Sequence, residues 1–279
     1  MPIENIPEIY LNDQNQNPDL FVYDFKMTHD VVKSKVNLGM NMFSFLQVGK
    51  KQVHFAGTSV AVNKDQSLLL KKGNWLWTEL LETEEIYYCK LFFFSQKKLR
   101  EFLEKHTDQK KETKKESPYF VIRNDAYISS YLNSLSTISE APAVFMENLL
   151  AVKFEELMLY LLQKYGNGFK IYLQSLIITE TSSFKKILES KIHSNLKLGE
   201  IAFLCNMSLS TFKRHFIEEY QTSPGKWFQD QRLQKAKETL EEGNLKPAEI
   251  YLDFGYNNLS NFSIAFKNKF GINPSEISN

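Results

Sequence analysis

The side chains with the clearest chemical opportunity lie near the carboxy terminus. Ser210, Lys213 and Arg214 recur at one-turn spacing and, on a helix, stand opposite Phe212 and Phe216. A lysine or arginine on such a free face can donate to the acceptor edge of guanine, a contact worth about 1 to 3 kcal/mol of discrimination. The competing readings are solvated charges that meet only phosphate, or a salt bridge from Arg214 to Glu218. About fifty residues further on, Asn258, Ser260, Asn261 and Ser263 can donate and accept, Ile264 can touch a thymine methyl, and the first charges are Lys267 and Lys269.

Catalytic and metal chemistry find no comparable constellation. Metal sites in small β-barrels need two or three histidines and a carboxylate converging from adjacent strands. Here His54 stands alone among the predicted strands, and His29, His106, His193 and His215 are scattered. No glycine-rich phosphate loop, nucleophile elbow or paired-carboxylate signature is present, so no metal and no cofactor is expected. Trp75 and Trp77, flanking Leu76, are expected to alternate faces on a strand, with one pointing into a barrel, as core rather than as the lining of an effector pocket. Cys89 and Cys205, far apart with apolar neighbours, fit buried thiols in a reducing cytosol.

Two segments of one layout would hold the carboxy-terminal polar groups. GEIAFLC, NMS and LSTFKRHFIEEY follow one another in the first; AEIYLDF, GYN and NLSNFSIAFKNKF follow in the second. Each reads as a short helix, a three-residue turn and a longer helix that can enter a major groove. The turn needs a residue tolerant of positive φ, and Asn206 and Gly255 occupy it. Phe212 with Phe216, and Phe262 with Phe266, give each longer helix an inward face. Between the segments, Ser223 caps and Pro224 opens a helix through about Leu240, with Trp227, Phe228, Leu233, Ala236 and Leu240 tying it to both. Some 17 residues span about 25 Å. With helix widths added, the two longer helices can reach successive major-groove faces, roughly 34 Å apart.

The amino-terminal part reads differently. With 279 residues and 43% hydrophobic content, the chain is long enough for two domains, here 1–170 and 178–279. A net charge of +1 leaves nucleic-acid binding to local placement of charge. Short β-branched and aromatic runs over 40–95 predict a small antiparallel barrel or sandwich. An amphipathic SQKKLREFLEKH and a charged loop over 105–118 follow, then one more expected strand at Tyr119 to Ile122. A long helix over 143–165 carries a stripe including Leu150, Phe154, Leu157 and Leu161, stopped by Gly166, Asn167 and Gly168. The stripe either packs on the barrel or also forms a dimer interface. No leader or membrane-length apolar run appears, which predicts a soluble cytoplasmic protein.

The duplicated motif resembles the DNA-binding domain of the AraC/XylS family of transcription regulators over roughly the last hundred residues. The matching fragments are EIA from Glu200, MSLSTFKRHF from Met207, TSPGKWF from Thr222, RLQKAKETL from Arg232 and FGYNNLSNFSIAFKNKFGINPSE from Phe254. The preceding region is similar to the family's cupin-like barrel and helical dimerisation segment. Within the family, Leu149 to Leu162 most resembles regulators of type III secretion such as the exoenzyme S activator. The resemblance implies an α+β chain, an amino-terminal cupin-like antiparallel β-barrel followed by an all-α domain. It also implies a transcription activator that contacts promoter DNA through Ser208, Leu209, Ser210, Lys213, Arg214, Asn258, Ser260, Asn261, Ser263, Ile264 and Lys267. A homodimer, contact with RNA polymerase, and control by a small molecule or a partner protein are further implications. Two departures bear on the second motif: Ile264 stands where many relatives carry arginine, and Tyr251 replaces a small residue. The alternative is a cupin-type enzyme or sugar-binding module with an accessory helical domain.

Overall fold

Continuous apolar runs such as NMFSFL and KLFFF are strands covered on both faces. In the computed structural model, which describes residues 2–11, 18–55, 58–82, 85–107, 117–138, 143–177, 184–191, 196–243 and 245–277, the chain forms two units, Met1–Thr181 and Ser182–Asn279. The first contains β1 (Ile3–Ile6), β2 (Leu20–Met27), β3 (Val31–Leu38), β4 (Asn41–Val48), β5 (Lys50–Phe55), β6 (Thr58–Val62), β7 (Gln66–Leu70), β8 (Gly73–Leu80), β9 (Tyr87–Phe94) and β10 (Tyr119–Arg123). They build two five-stranded sheets, ordered β1-β3-β8-β5-β6 and β10-β7-β4-β9-β2. The β1–β3 ladder is parallel, whereas β4 pairs antiparallel with both β7 and β9.

The second sheet is the middle layer. Met42, Leu46, Leu68, Leu70, Leu91 and Phe93 face the first sheet, among Val36, Val53, Trp75 and Trp77. Their neighbours Phe43, Phe45, Leu69, Phe92 and Phe94 face the helices. Period-two alternation with both faces buried is why these strands read as unbroken apolar runs.

Of the expected barrel or sandwich, the ladders show two sheets and do not show closure into a barrel. Among the described residues the edge strands β1, β6, β2 and β10 have one ladder neighbour each, and a barrel needs two for every strand. Side chains span the seams instead: the Tyr119 hydroxyl donates to the Ser59 carbonyl at 3.3 Å, and Tyr10 stacks on Tyr23 with centroids 4.0 Å apart. The β region also begins well before residue 40. Half-exposed β2 and the lysine-interrupted β3 dilute the apolar signal there. Trp75 and Trp77 do not alternate faces; two residues apart, they share the inward one.

Three helices cover the middle sheet. In α1 (Gln96–His106), the Ser95 hydroxyl caps by accepting from the Lys98 amide at 3.1 Å, and Leu99, Phe102 and Leu103 turn inward. The Ser-rich α2 (Ala126–Ile138) was not expected from composition, yet Ile128, Tyr131, Leu132 and Leu135 make an apolar stripe. Helix α3 (Ala143–Ile177) breaks at Gly166, where φ is 57° and ψ −136°. The expected stop is thus a break, after which the helix resumes, burying Phe169, Tyr172, Leu173 and Leu176. Residues 108–116 of the expected charged loop lie outside the described residues, as do His193 and Asn195.

Leu150, Phe154, Leu157 and Leu161 pack within the unit, the first of the two expected uses of the stripe. All four are buried against the sheet, Phe154 lying 5.1 Å from Phe94 between centroids. Leu157→Glu should therefore destabilise the unit by on the order of 3–5 kcal/mol, as loss of a packed leucine and burial of a carboxylate require. Urea unfolding checks this; a wild-type midpoint would contradict the assigned packing. On the same helix Val152 and Leu159 are 63% and 42% exposed. Among the described residues no helix is long and apolar enough to cross a membrane.

The second unit contains α4 (Phe184–Lys191), α5 (Leu198–Leu204), α6 (Leu209–Tyr220), α7 (Pro224–Glu241), α8 (Pro247–Ile250) and α9 (Leu259–Phe270). Two small cores share α7. Phe228 joins Ile201, Ala202, Phe212 and Phe216 in one; Leu233, Ala236 and Leu240 join Ile250, Phe254, Phe262 and Phe266 in the other. Ser223 caps α7 through its hydroxyl, and Pro224 occupies the first turn, where its missing N–H leaves nothing unpaired.

Candidate nucleic-acid interface

Both helix-turn-helix segments are built by the same devices. At the entry to the first helix of each pair, a carboxylate three residues on accepts from a backbone amide: Glu200 from Lys197 at 2.7 Å, and Glu249 from Lys246 at 2.6 Å. The turns take left-handed backbone at Asn206, φ 58°, and Gly255, φ 80°. A residue tolerant of this geometry is what each turn requires. After Asn206 only Met207 precedes the Ser208 cap, whereas Tyr256 and Asn257 precede Asn258, so the second turn is one residue longer.

The caps aim the longer helices. The Ser208 hydroxyl accepts from the Thr211 amide at 3.2 Å and also contacts the Ser210 and Thr211 hydroxyls. The Asn258 side-chain oxygen accepts from the Asn261 amide at 2.8 Å. Ser208 and Asn258 therefore serve first as helix caps, a role their presence in the sequence motif also explains. Left-handed residues, Gln221 and Gly271, end α6 and α9.

With Phe212, Phe216, Phe262 and Phe266 fully buried, the opposite faces are open. Leu209, Ser210, Lys213 and Arg214 are exposed on α6; Ser260, Asn261, Ile264 and Lys267 are exposed on α9, with Ser263 half-buried. Thr211, Ile217 and Leu259, not singled out from the sequence, join these surfaces at helical spacing. Among the described residues neither Lys213 nor Arg214 forms an ion pair, so the alternative bridge to Glu218 is not made. Lys269 is turned away: it donates to the Asp230 carbonyl of α7, and burial lowers its ammonium pKa. Tyr251 is accommodated half-buried at the edge of the second core.

Behind the first turn, Cys205 is half-buried rather than fully buried as expected, whereas Cys89 is buried, and the partial burial pushes the Cys205 thiol up to about 12. It stays protonated at neutral pH and is a poor nucleophile. Iodoacetamide should modify Cys205 far more slowly in the native protein than in urea, as peptide mass spectrometry would report; equal rates would refute the burial. Among the described residues no group of three or more His, Cys, Asp or Glu is placed to hold a metal ion.

Comparison with known proteins gives this geometry its relatives. Residues 41–172 match the ExsA N-terminal regulatory domain, and residues 201–279 match a helix-turn-helix domain. The thermoregulatory protein LcrF of Yersinia pestis is 27% identical over 160 residues, covering 57% of this chain and 59% of LcrF. The HTH-type transcriptional regulator ExsA of Pseudomonas aeruginosa is 27% identical over 128 residues, 46% of each chain. The matched segments thus span less than two thirds of either relative. Apo ToxT from Vibrio cholerae aligns with 93% of this chain at 16% identity, but its TM-score of 0.44 adds nothing to the description of the site. An ExsA-type domain followed by a helix-turn-helix domain bears out the resemblance read from Leu149–Leu162 and from the duplicated motif, and these matches support an AraC-family regulator of the type III secretion activator kind.

Proposed function

We propose that the protein is a sequence-specific transcription regulator, an activator, whose carboxy-terminal unit binds promoter DNA with α6 and α9 in successive major-groove segments. The carrying observation is the pair of helix-turn-helix segments on one linker helix, each with its phenylalanines inward and its polar face open. In this reading Ser210, Lys213 and Arg214 contact base edges from α6, while Ser260, Asn261, Ser263 and Ile264 do so from α9. Ser208, Leu209, Asn258 and Lys267 border the groove. ExsA is named a transcriptional regulator and LcrF a thermoregulatory protein, and one matched domain is called regulatory, which supports control of this activity from the amino-terminal unit. That two-sheet unit is read as the cupin-like part. A homodimer through the exposed stripe of α3 around Val152 and Leu159, and contact with RNA polymerase, complete the proposal.

Selection of duplex sites from random DNA, followed by a mobility-shift assay, tests it. Lys213→Ala and Arg214→Ala should each weaken the selected site by about 5- to 100-fold, corresponding to about 1–3 kcal/mol, with the unfolding midpoint unchanged. Two variants that bind like the wild type would defeat the assigned docking face.

A further inference from the structure

We propose that Arg232, on the linker helix α7, contacts the DNA phosphodiester backbone on behalf of the second helix-turn-helix. The inference rests on the DNA-binding reading above and assigns a residue outside both recognition helices.

Arg232 precedes Leu233, which anchors α7 in the second core. Its side chain lies along the second turn, with Nε 3.9 Å from the position a Cβ would take at Gly255. That Nε is buried and has no hydrogen-bond partner among the described residues, although the residue as a whole is only half-buried and its outer part meets solvent. No carboxylate among the described residues pairs with it. The acidic groups further along α7 are engaged elsewhere, Glu238 with Lys235 at 3.0 Å and Glu241 with Lys237 at 3.5 Å. A guanidinium partly withdrawn from water without a counter-charge is unfavourable until an anion arrives.

The place suits one anion in particular. In a helix-turn-helix the turn and the start of the following helix border the groove, where the backbone phosphates run. The first recognition helix brings its own cations at Lys213 and Arg214. The second has Ile264 in the position matching Arg214 and no cation before Lys267. Arg232 supplies the missing positive charge from behind the turn, and a guanidinium fork matches phosphate oxygens in a bidentate manner. Gln229 strengthens the placement, its amide lying 3.5 Å from the Tyr256 hydroxyl and linking α7 to the same turn. Because the side chain belongs to α7 and not to the outward face of α9, its target is phosphate and not a base edge.

The test uses the full-length protein and a fluorescein-labelled duplex carrying the site selected by the wild type. Anisotropy titrations run between about 50 and 200 mM potassium chloride. Arg232→Gln should bind about ten-fold more weakly at low salt, lose affinity equally for an unrelated duplex, and show a salt slope shallower by about one. Arg232→Lys should restore the slope. An unchanged slope in Arg232→Gln overturns the inference while leaving DNA binding intact. So does an early melt of Arg232→Gln by circular dichroism, which would assign the side chain to packing. Absence of salt-dependent binding by the wild type would instead overturn the function proposed above.

Discussion

Replacing Lys51 with methionine while Glu79 remains is expected to destabilise the amino-terminal unit by about 3–5 kcal/mol, the range for breaking a buried ion pair from one side. Lys51 Nζ lies 2.8 Å from a Glu79 carboxylate oxygen, with the two side chains 0% and 4% exposed. The ammonium also sits 3.9 Å from the centroid of the Trp77 ring. Both groups stand between the two sheets, near the buried Tyr87 hydroxyl, whose ionisation burial pushes far above its ordinary range. Once Lys51 is removed, the Glu79 carboxylate keeps its desolvation and loses its counter-charge. Replacing both partners with apolar residues of similar volume removes the uncompensated charge, and the double variant Lys51→Met/Glu79→Leu should recover most of the loss. Urea unfolding of the two single variants and the double variant decides the matter. If Lys51→Met alone costs no more than the double replacement, the pair is not coupled as its geometry requires.

Phe216→Ala should be comparably damaging in the other unit, by about 3–5 kcal/mol. Phe216 is fully buried, with ring neighbours Phe212, Phe184, Tyr220, Trp227 and Phe228, the nearest at 4.6 Å. Its loss leaves a cavity where α4, α6 and α7 meet. The second core contains none of these residues, so the second helix-turn-helix should keep more of its order than the first. Trp227 fluorescence in a Trp75→Phe/Trp77→Phe background would report the first core directly. A wild-type transition there would refute the packing that holds α6 in place.

Much of the carboxy-terminal unit was legible because its constraints are local. Asn206 and Gly255 declare their turns through φ, and the phenylalanine pairs declare inward faces through helical spacing. The same local logic found α1 and an interruption at Gly166, although it read as a stop what is a break within one longer helix. It failed where one signal serves two structures. The stripe through Leu150, Phe154, Leu157 and Leu161 suits either a dimer face or a core, and the sheet claims it. Helix α2 was hidden by serines that lower helix propensity while its apolar positions still face the core. Lys269 looked like a second cation for α9 until its contact with the Asp230 carbonyl became visible, and Arg232 carried no signal at all without the turn it lies against.

By itself, the order of residues determined two helix-turn-helix repeats, their inward and outward faces and an amino-terminal region rich in strands. Those features follow from backbone preference and side-chain period, which act over a few residues. Only tertiary structure decided that the strands divide into two sheets, that Lys51 meets Glu79 across 28 positions of sequence, and which cations remain unpaired among the described residues. Pairing between distant segments depends on which partner reaches a surface first and covers it, and no local pattern encodes the identity of that partner.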